Sequence, residues 1–120
     1  MLTRVDHVQL AIPAGAEDLA RAFYGGALGI SEVPKPPHLA SRGGCWFEQG
    51  DLKVHLGVDP SFVAARKAHT AFIVEDLPEL IRRLESAEIA VNDNEPLEGF
   101  HRVYVDDPFG NRIELMEATP

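Results

Sequence analysis

The chain has 120 residues, 45% hydrophobic and 25% charged, which supplies one compact core and too little apolar material for two full-sized ones. Its formal net charge of −8 disfavours nucleic acid, whose binders carry a basic excess on at least one face, and leaves a small-molecule substrate and metal ions as the expected partners. A single cysteine, Cys45, excludes an intrachain disulfide; no apolar run approaches the ~20 residues of a membrane span and the first residues lack the layout of a secretory leader, so a cytoplasmic protein without a membrane partner is expected.

Residues 5–12, VDHVQLAI, alternate in character. Val8, Leu10 and Ile12 fall on one face and Val5, His7, Gln9 and Ala11 on the other, which predicts a strand with His7 on its polar side. A helix is expected from about Glu17 to Leu28, with acids in its first turn, Leu19/Phe23 and Ala20/Tyr24/Leu28 at spacing four, and glycines 25, 26 and 29 eroding its end. Residues 31–42 are proline-rich and read as a loop or short edge strand; His38 lies there, in a lid or in solvent. GGCWFEQGDLKVHLGV then reads as a hairpin around Gly50-Asp51. A two-residue turn pairs Gln49 with Leu52, Glu48 with Lys53, Phe47 with Val54, Trp46 with His55 and Cys45 with Leu56. Phe47, Val54, Cys45 and Leu56 share the apolar face, where Cys45 is a small buried hydrophobe. Trp46 and His55 share the other with Glu48 and Lys53, which read as a cross-strand ion pair.

After Asp59-Pro60 the first pattern returns. AHTAFIVE sends Phe72 and Val74 one way and His69, Ala71 and Ile73 the other. Asp76 and Glu79 have the spacing of a capping box, Pro78 suits a first turn, and Leu77, Leu80, Ile81 and Leu84 form a buried helical stripe. The closing segment HRVYVDDPFGNRIELME is a hairpin whose turn, Asp107 to Asn111, pairs Asp106 with Arg112, Val105 with Ile113 and Tyr104 with Glu114. Asp106 and Arg112 read as a second ion pair, and His101 has the parity of the apolar face.

The two halves therefore repeat one another: His7 is answered by His69, and His55 by Glu114 at nearly the same separation. The fold class this predicts is α+β, one domain over 1–120 made of two βαβββ modules, at about 1–60 and about 65–118. Helices must cover the apolar faces, so His7, His55, His69 and Glu114 all stand on the opposite surface. Each alone suits a wet sheet face. Together, at repeat-related positions, they offer imidazole and carboxylate, the ligands of one divalent metal ion such as Zn, Ni, Fe, Mn or Co. No local HExxH or CxxC motif unites them, so their convergence depends on the fold.

VDHVQLAI, FYGGALGI, KAHTAFIVEDL and above all YVDDPFGNRIELME resemble the vicinal oxygen chelate superfamily, which includes glyoxalase I, extradiol dioxygenases, fosfomycin-resistance enzymes and bleomycin-binding proteins. The resemblance covers essentially the whole chain. It implies paired βαβββ modules with curled mixed sheets forming a cleft, a homodimer, and a divalent metal held from the inner strands by His7, His69 and Glu114. The fourth slot holds His55, where glyoxalase-like members have a glutamate. The implied function is metal-dependent isomerase or lyase chemistry of glyoxalase I type on a substrate that chelates the metal through neighbouring oxygens, with Glu114 moving the proton. An extradiol-type ring-cleavage dioxygenase, using His7, His69 and Glu114, and a non-catalytic binding or resistance protein are the alternatives. Around the centre, Trp46 is expected as an apolar wall, Tyr104 as a hydrogen-bonding acid or a partner orienting Glu114, and Arg102 as an anchor for a substrate carboxylate or phosphate. Modules closing one cleft within the chain and modules exchanged across a dimer are equally compatible with the pattern.

Overall fold

The computed structural model describes all residues, Met1 to Pro120. They form two compact units, Met1–Ala64 and Ala65–Pro120, each built on a four-stranded mixed sheet.

In the first unit, β1 (Val8–Ile12) leads into α1 (Glu17–Ala20), which continues as a π-helix (Arg21–Ala27); β2 (Glu32–Val33), α2 (Pro37–Ala40), β3 (Cys45–Gln49) and β4 (Leu52–Val58) follow. The sheet order is β1-β4-β3-β2, with β1 parallel to β4 and the other pairs antiparallel. The hairpin register is the one read from parity, Trp46 opposite His55 and Cys45 opposite Leu56. Strand β1 starts one residue after His7, because Val8 is the first residue with a β4 partner, Val54. The expected α-helix instead widens into π geometry after Ala20, closing with Leu28 N–H on the Phe23 carbonyl at 2.8 Å. A wider turn suits a segment that must bury two consecutive aromatics, Phe23 and Tyr24. Gly25 permits the approach to the sheet, since a Cβ there would stand 3.3 Å from the Phe47 ring. Leu10, Ile12, Tyr24, Phe47, Val54 and Leu56 make the core beneath.

The second unit repeats the plan with β5 (Thr70–Ile73), α3 (Leu77–Ser86), β6 (Asn92–Asp93), β7 (Phe100–Asp106) and β8 (Arg112–Ala118), in the order β5-β8-β7-β6. Again the first strand is parallel to the last, and again the histidine, His69, sits one residue before it. Asp76 caps α3 by accepting from Glu79 N–H at 3.1 Å, but the Glu79 carboxylate turns to Arg82, so only half of the capping box forms. Leu77 and Leu84 are the helix residues fully buried, with Val105, Ile113 and Leu115 in the sheet. The DPFGN turn is a polar knot. Asp107 accepts from the backbone N–H groups of Phe109 and Asn111 and from the Asn111 amide, and Asn111 Oδ1 accepts from Ala65 N–H. Both side chains are buried, so this turn holds its shape through satisfied polar groups that an apolar substitute would leave unpaired.

Neither expected ion pair forms. Register puts Glu48 opposite Lys53, but Lys53 reaches Asp6 and Glu48 takes His55. Asp106 pairs with Arg66 at 2.5 Å, while the Arg112 guanidinium lies 4.8 Å from the Tyr104 ring centre. Glu48 takes the diagonal and nearly buried His55, whereas Lys53 and Asp106 pair with the loop residues Asp6 and Arg66 in contacts that stay largely open to water.

Candidate functional site

Strand pairing explains how each unit presents its polar residues. In the second unit Ala71 is opposite Glu114; His69, two residues before Ala71, shares its face and stands diagonal to Glu114. The imidazole Nε2 lies 2.8 Å from Glu114 Oε1, and Arg102 donates from its guanidinium to Oε2 at 3.1 Å. Glu114 is almost wholly buried, with 6% of its side chain exposed. Burial alone would raise its carboxyl pKa, but the hydrogen bonds from His69 and Arg102 and their charges outweigh it and hold the carboxyl below the usual carboxylate value. The second guanidinium bond goes to the Glu95 carbonyl at 2.9 Å, so the expected substrate anchor is engaged with Glu114 and the β6–β7 connection. Tyr104 packs edge-on against His69, with centroids 5.5 Å apart, and steadies the ring rather than reaching Glu114 with its hydroxyl.

The protonation of His69 follows from its partners. Nδ1 lies 3.0 Å from the Lys67 carbonyl, which can only accept, so Nδ1 carries a proton. Nε2 lies 2.8 Å from a carboxylate oxygen that likewise only accepts, so the contact is a hydrogen bond from Nε2–H to Glu114, and a metal ion bound here would displace that proton. The 2.8 Å separation is that of a direct hydrogen bond, shorter than the ~3.3–3.4 Å that tetrahedral geometry sets between donors with ~2.0–2.1 Å bonds, so the two groups would part slightly to admit an ion. Imidazole and carboxylate are the donor types a divalent metal takes, with Lys67 O and Arg102 as the outer partners that such ligands normally have.

The first unit places Gln9 opposite His55, and His7 on the same face two residues earlier. The His55 ring is sandwiched: Trp46 stacks on one side at 3.9 Å and 3°, and His7 on the other at 4.4 Å and 22°. His55 is buried, whereas His7 has 42% of its side chain exposed and donates from Nδ1 to Asp6 at 3.1 Å. Glu48 Oε2 sits 2.9 Å from His55 Nε2. A carboxylate accepts, so Nε2 bears the proton, which makes Nδ1 the nitrogen a metal would use. Glu48 is the residue sequence reasoning missed. Its parity with Trp46 and His55 was the available signal, obscured by Lys53 directly across the hairpin. The Asp6 carboxyl is held below its usual value, chiefly by His7 and then by Lys53.

Each unit thus brings together one pair from the expected ligand set, His7 with His55 and His69 with Glu114. No group of three or more His, Cys, Asp or Glu side chains is arranged to hold a metal ion. Cys45 is buried, and burial pushes its thiol up to about 11, which fits a packing residue and not a nucleophile. His101 is exposed despite its parity, one residue into β7.

Comparison with known proteins agrees with this architecture. No curated protein matches the chain. Among solved structures, a glyoxalase family protein from Bacillus anthracis is 46% identical over 99% of this chain and 98% of its own, with a TM-score of 0.95. Lactoylglutathione lyase from Agrobacterium tumefaciens is 27% identical over 91% of this chain and 90% of its own, with a TM-score of 0.67. The fosfomycin resistance protein FosX from Listeria monocytogenes, 16% identical over 99% of this chain and 96% of its own, shares the fold with a TM-score of 0.77. The family model for these proteins matches residues 4–115, and the chain belongs to the Glyoxalase/Bleomycin resistance protein/Dioxygenase superfamily.

Proposed function

We propose that the protein is a metal-dependent enzyme of the glyoxalase type, acting as an isomerase or lyase on a small substrate with two neighbouring oxygens. The observation that carries this reading is the His69–Glu114 pair: an imidazole and a buried carboxylate 2.8 Å apart, each fixed from behind, so that an ion replacing the proton between them would find both donors in place. His7 and His55 are the further ligands that the family resemblance implies, His55 through Nδ1 with Glu48 holding its other nitrogen. A divalent ion bound there would supply Lewis acidity toward the substrate oxygens.

The chain's own residues do the rest. Arg102 keeps Glu114 ionised and fixes one of its oxygens, which leaves the other directed toward His69 to hold or take a proton. Trp46 gives the His55 ring a flat apolar wall and excludes water from one side of it. Tyr104 restrains the His69 ring from its edge. A homodimer and a cytoplasmic setting accompany this reading, as does the alternative of ring cleavage through His7, His69 and Glu114, which the same donors would serve.

Protein purified without a histidine tag, dialysed against Zn(II), Ni(II), Fe(II), Mn(II) or Co(II) and analysed for metal, tests the proposal. Stoichiometric uptake is expected in the wild type and its loss in a variant combining His69→Ala and Glu114→Ala; equal uptake by both rejects the site. Metal-dependent hemithioacetal turnover supports the glyoxalase reading, and oxygen uptake on catechol substrates would replace it with the dioxygenase one.

A further inference from the structure

The polar face of the first unit carries a second feature beside the Trp46–His55 stack. A cavity of about 170 Å³ opens there, lined among others by Gln9, Lys35, Leu39, Arg42, Trp46 and Gly57. Trp46, Gln9 and Gly57 belong to the same sheet face as His55, so the cavity and the imidazole share the indole as a common wall. Gly57 leaves room for this arrangement. A Cβ at that position would come within 2.6 Å of Gln9 Nε2, so the glycine is what lets the amide lie across β4 at the cavity edge.

The lining is cationic in a chain of net charge −8. Lys35 is half-buried and its ammonium donates to the Gly43 carbonyl, which fixes it at the cavity and leaves two of its protons for another acceptor. Arg42 is exposed and no carboxylate pairs with it or with Lys35. Glu17, whose carboxylate also faces this loop, is engaged by Gly44 N–H at 3.2 Å. Two cations and an amide over an apolar floor of Leu39 and Trp46 are the donors and the surface that recognise a compact oxyanion on a short apolar stem. A volume of about 170 Å³, several times the ~30 Å³ of one water, accommodates such a group.

We infer that this cavity is the subsite for an anionic group of the substrate, a carboxylate or phosphate held by Lys35 and Arg42 with Gln9 donating from its amide. The inference rests on the polar face being the substrate face, as the proposed function has it. It also reassigns the anchoring role: Arg102 is engaged by Glu114, and Lys35 with Arg42 take its place.

Trp46 is the only tryptophan, so its fluorescence reports the cavity directly. Metal-free, chelator-treated protein is titrated at fixed ionic strength with propionate, inorganic phosphate and the neutral propionamide. A saturable change with propionate or phosphate, and which of the two is tighter, identifies the group; propionamide should give none. Lys35→Met combined with Arg42→Ala should weaken the anion at least fivefold, and Arg42→Ala alone, at an exposed position, should weaken it in the same direction with an unchanged melting temperature. No saturable change with either anion, an equal response to propionamide, or unaltered affinity in both variants overturns the assignment. Because the titration uses no metal, its failure leaves the metal reading standing, and loss of metal uptake in His69→Ala leaves the anion subsite standing.

Discussion

Arg102→Met isolates the contribution of the guanidinium to the Glu114 carboxylate while keeping much of the apolar stem. Glu114 has 6% of its side chain exposed and Arg102 18%, so the pair is poorly screened by water. A hydrogen bond to a buried charge contributes about 1.5–3 kcal/mol, and losing one member of a buried pair costs about 3–5 kcal/mol. His69 still engages the other oxygen, which places the expected loss at about 2–3 kcal/mol near neutral pH, or roughly 1–2 M in the urea midpoint for a domain of this size. The pH dependence gives the sharper test. The folded carboxyl lies below its ordinary 4.5, so its stabilisation is fully present above that value and is lost as pH falls through the folded one. The gap between wild type and variant should therefore be widest at about pH 7 and narrower at the lowest pH at which the wild type stays folded, as the Glu114 carboxyl becomes protonated. Urea curves at both values measure it. A gap of equal size at the two pH values would mean that Arg102 stabilises the fold by packing alone, and its assignment as the residue positioning Glu114 would be wrong.

Three further outcomes follow from the fold. Leu84→Ala, at a fully buried helix position, should cost about 2–5 kcal/mol in denaturant unfolding through the cavity it leaves; a loss below about 1 kcal/mol would contradict its place in the core. Glu88→Gly should raise stability by up to about 1 kcal/mol, because Glu88 has φ of 62°, a left-handed conformation that glycine adopts freely; a fall in the melting temperature would show that the side chain matters more than the backbone. The Cys45 thiol, pushed up to about 11 and buried, should resist an aromatic disulfide reagent in the native protein and react fully in urea, whereas fast native labelling would place it at the surface.

Much of the architecture was legible in the chain because strand parity is strict. A two-residue turn at Gly50-Asp51 and a five-residue turn from Asp107 fix the hairpin registers, and a slip by one residue would move Phe47, Val54, Val105 and Ile113 out of the core. The same parity put His7 and His55 on one face, and His69 and Glu114 on one face, without any knowledge of distance. The identity of the helix was less accessible. Spacing of four along residues 19–28 describes α and π geometry almost equally, and the choice was made by the need to bury Phe23 and Tyr24 side by side against Phe47.

What sequence could not determine was the choice of partner among polar groups that parity leaves on one surface. Glu48 has Lys53 directly opposite and His55 on the diagonal; Arg102 has open solvent on one side and Glu114 on the other. Those choices depend on differences of an ångström and on how much water reaches each group, and neither is written in a pattern of period two. The cationic cavity is of the same kind: Lys35 and Arg42 come from a proline-rich stretch with no periodicity, and only the folded loop brings them to the Trp46 side of the sheet. Which residues share a face follows from the strand period alone; which of them touch depends on packing and on the reach of water.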